Sequence, residues 1–176
     1  MTTISFRGVI TNGVGKHAEL HVPGRNEISH APHDWPVTLH EGSLNVRIVP
    51  GGYPPLFATL GLPEVIRSLD TKALPGDFEI AHHEFGNNRL GPVPDMPHKG
   101  SAQVWRATLL ANGRNHQCWV LRRYGSGVGE QLELVSHLHM RSAFHLTNGQ
   151  EVVVTLEQRN TQRAAPSYQK AGMAES

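Results

Sequence analysis

Two short stretches of the chain carry residue types that suit a site for Mg²⁺ and a nucleotide. Ser43 and Asn45 lie two residues apart, so on a strand both polar side chains share one face. Upstream, the run Asn12-Gly13-Val14-Gly15-Lys16 follows a β-rich segment, and its glycines allow backbone N–H groups to approach a phosphate closely. Neutral oxygen ligands beside a backbone phosphate cradle predict a magnesium-nucleotide site. No helix pattern follows these glycines, which argues against a Walker or dinucleotide-binding motif.

The 12 histidines form a second set of candidate ligands. The run His82-His83-Glu84, the pair His137-x-His139 and the pair His17 with His21 could together supply a transition-metal site. On a strand, His137 and His139 would share a face. A hydrolase or dioxygenase is the enzyme class that such a site suggests. The pairs are scattered along the chain without a compact ligand motif, which favours surface histidines.

Length and charge limit the class of protein. The 176 residues are enough for one domain with its own core. The 16 Lys and Arg against 15 Asp and Glu give a net charge of +1, which offers no general attraction to nucleic acid or a membrane surface. Cys118 is the one cysteine and is expected to be a buried small apolar residue. Without an apolar run of membrane-spanning length or a leader pattern, the sequence predicts a cytoplasmic protein.

The hydrophobic pattern predicts many short strands and little helix. On the strand at 131–136, Leu132 and Leu134 should point to one side and Glu133 and Val135 to the other. Asn112-Gly113 predicts a hairpin turn. Strands are predicted at 4–11, 18–22, 37–39, 44–49, 78–80, 102–110, 116–124, 131–136 and 152–156, and short helical segments at 26–30, 63–69 and 140–146.

This pattern favours a single small β-barrel domain over residues 1–157. The segment 50–101 is rich in proline and glycine and is predicted to be a long irregular insertion. Residues 158–176 are polar and are predicted to form a disordered tail.

The order of these pieces resembles the CTP-dependent riboflavin kinases of the archaeal type, which have a six-stranded cradle-loop barrel. The matching stretches are 8–18, 41–48 and 130–156, and the run Gly42-Ser43-Leu44-Asn45 is the most specific of them. The resemblance implies transfer of the γ-phosphoryl group of CTP to the 5′-hydroxyl of riboflavin, giving FMN, with Mg²⁺ as cofactor.

The resemblance also implies a role for each matching residue. Ser43, where the family usually has threonine, and Asn45 would hold Mg²⁺. Glu133 would contact the flavin and orient or deprotonate its hydroxyl. Near Gly125 the family tends to have a flavin-contacting threonine, and here the nearest hydroxyls that could bind the flavin are those of Tyr124 and Ser126. The nucleotide would be bound by Gly13, Val14, Gly15, Lys16, His17 and Ala18 at its phosphates, and by Leu138, His139, Met140 and Arg141 at its base and ribose.

The chain departs from the family in places that bear on its ligand. Lys16 and His17 occupy positions where the family usually has an acidic residue and a glycine. Two alternatives to the kinase therefore stay open. One is a diverged barrel that binds a nucleotide or a flavin-like ligand without turnover, and the other is the histidine-metal enzyme.

Overall fold

The structure is a computed structural model and describes residues 2–12, 21–54, 69, 74–85 and 91–158. The predicted glycine turn at 13–18, most of the predicted helix at 63–69 and the predicted tail lie outside the described residues.

The described chain is mainly β and forms a closed antiparallel barrel of six strands with one extra strand. The barrel order is β4-β5-β6-β2-β1-β7, closed by pairing of β7 with β4, which confirms the predicted six-stranded barrel. The strands are β1 (Thr2–Thr11), β2 (Leu44–Ile48), β3 (Phe78–Ile80), β4 (Ala102–Ala111), β5 (Arg114–Arg123), β6 (Gln131–Val135) and β7 (Glu151–Gln158). Helical structure within the described ranges comprises one short helix, α1 (Met140–Ala143), one 3-10 turn (His82–Glu84) and the single residue Leu69.

Strand β4 has two different partners along the same edge. Its first residues pair with the extra strand, with Phe78 opposite Val104, and its later residues pair with β7, with Ala107 opposite Leu156. The other edge of β4 pairs with β5 over ten residues through the predicted hairpin. Asn112 and Gly113 both have positive φ values, 52° and 71°, as a tight two-residue hairpin turn requires.

The inner face of the barrel is a continuous apolar core. Alternate residues of each strand point inward, as Phe6, Ile10 and Val46 show with exposures of 1% or less. Leu132 and Leu134 belong to this core, while Val135 packs on the outer side, as the alternation predicted. Each fully buried Leu, Ile or Phe side chain stabilises the fold by about 1.5–3 kcal/mol.

A second core covers the outer face of β4, β5 and β6. Trp35 is fully buried there and meets the rings of Trp119 and Phe78 edge-on, with centroids 5.0 Å away in both cases. Its indole N–H donates to the carbonyl of Pro23 at 3.0 Å. The barrel wall is therefore buried on both sides at this point.

The segment that supplies Trp35 differs from its prediction. Residues 26–30 lie in turns, residues 37 and 38 form a bend and Leu39 has no regular structure, so the predicted helical turn and strand are wrong. The segment folds back on itself, since the amide of Arg25 donates to the carbonyl of Pro36 at 2.8 Å. The apolar residues of this segment pack one by one into the outer core. Their spacing in the sequence therefore follows neither a helix nor a strand.

Arg106 clamps this segment to the barrel. Its Nε donates to Asp34 Oδ2 at 2.6 Å, its Nη1 lies 3.0 Å from Asp77 Oδ1, and its guanidinium lies 4.9 Å from the Trp119 ring centroid. The hydrogen bond from Arg106 holds the pKa of Asp34 below its usual value, and the same bond raises the pKa of Arg106. Charge pairing thus joins the outer segment to β4.

No helix in the described ranges is long and apolar enough to cross a lipid bilayer.

Candidate functional site

Strand pairing brings three polar residues into one row on the outer face of the barrel. Thr11 of β1 is opposite Asn45 of β2, and Asn45 is opposite Glu133 of β6. Their chain neighbours Ile10, Leu44 and Leu134 fill the inner core. The alternation of a strand therefore turns the side chains of all three polar residues outward. With Gln131, two residues before Glu133, they are called here the outer polar patch.

Glu133 is buried although its side chain points away from the barrel core. It is 2% exposed, and its Oε2 atom has no hydrogen-bond partner among the described residues. Burial raises the pKa of Glu133 to about 7, against the attraction of Arg122 and then Arg123, which acts to lower it. A buried carboxyl with a raised pKa is a candidate for ligand binding or proton transfer.

Two further oxygens of the outer polar patch are buried without a partner. These are Thr11 Oγ1 and Gln131 Oε1, neither of which has a hydrogen bond within the described part of the chain. Buried polar atoms are almost always hydrogen-bonded in folded proteins. The patch therefore holds acceptor oxygens on two strands, β1 and β6, whose hydrogen-bonding capacity the described chain does not use.

Asn45 lies on the outer face of β2, and Ser43 comes one residue before that strand begins at Leu44. Both are half-buried, and the amide nitrogen of Asn45 donates to the carbonyl of Ser43 at 3.4 Å. This arrangement supplies a hydroxyl and an amide oxygen, with the Glu133 carboxyl paired opposite Asn45. Such hard oxygen donors fit Mg²⁺, which takes few protein ligands and completes its shell with phosphate and water.

The segment after β6 reaches the outer polar patch through Arg141. Its Nη2 atom donates to the carbonyl of Thr11 at 2.8 Å. Leu138 is 40% exposed, and His139 is exposed at the start of α1. Met140 differs from the expectation that it contacts a nucleotide, because its side chain is 4% exposed and lies in the inner core. Only its backbone remains for such a contact.

Tyr124 and Ser126 lie away from the patch along the chain. Glu133 is opposite Leu121, so the register of β5 with β6 does not bring the two hydroxyl residues opposite it. Tyr124 is buried, and its amide donates to the carbonyl of Ser101 at 2.9 Å. Ser126 is half-buried in the turn that follows.

The histidines of the described chain do not form a metal-binding group. No three His, Cys, Asp or Glu side chains converge in the ranges that the structure describes. His137 and His139 do not lie on a strand, so the condition for their sharing a face is not met: β6 ends at Val135, and residues 137 and 138 form a bend before α1. His82 and His83 lie in the 3-10 turn. His17 is outside the described residues, as are the other phosphate-binding candidates from Gly13 to Ala18.

Thr11 and Gln131 were missed by the sequence reasoning. Both are ordinary polar strand residues, and nothing in their local sequence separates them from solvent-facing positions. The register between β1, β2 and β6 is what groups them with Asn45 and Glu133. A strand-pairing prediction built on the alternation of apolar residues could have found them.

Comparisons with known proteins add no family to this geometry: neither the scan against protein-family models nor the search of curated proteins found a match.

Proposed function

We propose that this protein is a kinase that transfers the γ-phosphoryl group of CTP, or of another nucleoside triphosphate, to the 5′-hydroxyl of riboflavin, giving FMN. The observation that carries the proposal is the outer polar patch. It groups the buried carboxyl of Glu133 with Asn45, Thr11 and Gln131, and three of its oxygens have no partner in the described chain. A polyol chain such as that of riboflavin carries hydroxyl donors that match these acceptors.

The position of Arg141 supports the same reading. By bonding the carbonyl of Thr11, it joins the segment after β6 to the end of β1, where the chain enters the glycine-containing stretch 13–18. The resemblance assigned nucleotide binding to both of these segments. Thr11, whose carbonyl Arg141 bonds, is opposite Asn45, as a shared site for nucleotide and metal would require.

Each residue has a definite task in such a reaction. Ser43 and Asn45 would hold Mg²⁺, and the ion when bound would neutralise charge on the transferring phosphate. Glu133 would accept a hydrogen bond from the acceptor hydroxyl and take its proton as the phosphoryl group arrives. Phosphoryl transfer depends mainly on positioning the reactants and neutralising charge. One carboxyl beside a metal site would therefore supply the groups that this reaction needs.

The test is formation of FMN by the purified chain with riboflavin and Mg²⁺, offering CTP and ATP in separate reactions. Asn45→Ala should lower the rate about 100-fold, the usual effect of removing one preorganised electrostatic contact. Ser5→Ala is a matched control, because Ser5 is an exposed β1 residue whose hydroxyl bonds Thr155 at 2.8 Å on the same face of the barrel. Its rate should equal that of the wild type.

If folded protein forms no FMN with either nucleotide, the kinase proposal is wrong. Binding of riboflavin or of a nucleotide by that same protein would then support the binding module without turnover.

A further inference from the structure

Two histidine rings from different segments stack on each other at the surface. The ring centroids of His40 and His139 lie 4.7 Å apart, and the planes are inclined by only 24°. His40 belongs to the segment before β2, and His139 is the N-cap residue of α1. Both residues are exposed, so a third planar group can reach the pair from solvent.

Hydrogen bonds hold both residues in place. His139 Nδ1 is 2.8 Å from Ser142 Oγ, a contact that fixes the ring against the first turn of α1. The backbone amide of His40 donates to the carbonyl of Ser136 at 2.8 Å, directly after β6. The stack is thus built from anchored segments, which lowers the entropy lost when another ring packs on it.

The location of the stack matters for the proposed site. His40 lies three residues before Ser43, and His139 lies two residues before Arg141, which bonds the end of β1. The ring pair therefore connects the segment that leads to the metal-ligand candidates with the segment expected to hold the nucleotide. The resemblance implicated His139 but gave no role to His40.

We propose that His40, stacked on His139, is a nucleobase-binding residue, and that the base of the nucleotide packs on this ring pair. This inference rests on the proposed function, because it names a subsite of the same nucleotide site. Stacking of a base on an aromatic ring tolerates every base, since each one presents a π-face. The pair would therefore contribute affinity for the nucleotide rather than a choice between CTP and ATP.

The experiment is calorimetric titration of CTP into the full chain with Mg²⁺ and without riboflavin. His40→Ala should weaken binding about 10-fold, within the range measured for loss of one base-stacking ring. His40→Phe keeps a planar ring and should bind within about twofold of the wild type. In the FMN assay, His40→Ala should raise KM for the nucleotide and leave kcat unchanged, because a base contact is the same in the ground and transition states.

His137→Ala is the matched control, since His137 is exposed and two residues before His139. It should bind CTP like the wild type. Equal affinity of His40→Ala and the wild type would overturn the inference and leave the kinase proposal standing. A wild-type protein that binds no nucleotide would overturn both. Thermal unfolding of each variant separates loss of binding from loss of the fold.

Discussion

Asn45 and Glu133 are directly opposed across the antiparallel pair of β2 and β6, with both side chains on the outer face of the barrel. The amide is half-buried and the carboxyl is 2% exposed. The strand register thus holds the ionisable Glu133 beside the neutral Asn45. Because Glu133 is buried, its charge state should affect the stability of the fold.

Replacing Glu133 by glutamine should remove a pH dependence of stability. The pKa of Glu133 is raised from 4.5 to about 7 by burial, so between these pH values the folded chain holds a proton that the unfolded chain has lost. Stability should therefore fall as the pH rises from about 4.5 to about 7. Above that range the cost of the buried charge reaches up to about 3 kcal/mol.

Urea unfolding at pH 5 and pH 8, without Mg²⁺, measures this effect. Glu133→Gln should be more stable than the wild type at pH 8 and close to it at pH 5. If the two proteins differ by the same amount at both pH values, Glu133 does not titrate in this range.

Asn45→Asp should place a second carboxylate opposite Glu133. Like charges directly opposed on neighbouring strands are destabilising, so this variant should lose about 1 kcal/mol of unfolding free energy at pH 8. At pH 5 the loss should shrink, because Glu133 then carries its proton. The control is Thr38→Asp, which adds the same charge at an exposed position. An equal loss for both variants would show that the opposition of residues 45 and 133 has no effect.

Arg106→Met should destabilise the fold by about 2–4 kcal/mol. The change leaves Asp77 buried without its cation and frees Asp34, which is 39% exposed on its side chain and can be solvated. Chemical denaturation measures the difference. Arg114→Met, at an exposed position on β5, should change the unfolding free energy by less than about 0.5 kcal/mol. Similar values for both variants would contradict the role of Arg106 as a clamp.

Gly24→Ala should destabilise the outer core. A Cβ atom at residue 24 would lie 1.8 Å from the carbonyl oxygen of Val37, and a backbone atom cannot yield without moving the chain. We expect a loss of about 2 kcal/mol or more, seen as a lower Tm. Gly91→Ala is the matched control, because among the described residues its Cβ would meet His82 Cδ2 alone, at 3.9 Å. Equal Tm values for the two variants would mean that the close approach does not exist in solution.

Cys118 should resist thiol reagents in the folded protein. It is 5% exposed in the inner core, and burial raises its pKa to about 12, so almost no thiolate forms at neutral pH. A disulfide exchange reagent should label it only after denaturant is added. Rapid labelling of the native chain would show that the inner core opens readily.

The strands could be predicted because each carries its own alternation of apolar residues. Leu132 and Leu134 entered the inner core, and Asn112-Gly113 formed the hairpin turn, as local patterns indicated. The predictions at 26–30 and 37–39 failed for a different reason. That segment is held in place by the contact of Trp35 with Trp119 and by the ion pair of Asp34 with Arg106. Both are contacts with distant strands, and such contacts produce no regular spacing of apolar residues in the sequence.

The candidate site could likewise be predicted only in part. That Ser43 and Asn45 lie close together follows from their spacing alone. The burial of Glu133 could not be predicted, because it depends on what covers the outside of a barrel strand. The grouping of Thr11 with Asn45 requires the register of β1 with β2, which local sequence does not specify.

The double covering of β5 has a consequence for the slowest motions of the protein. Cys118 and Val120 face the inner core, Trp119 and Leu121 face the outer one, and the strand is hydrogen-bonded to β4 and β6 on its two edges. Its central amides can meet water only when both cores come apart together. In deuterated solvent they should be among the last to exchange, at the rate of global unfolding.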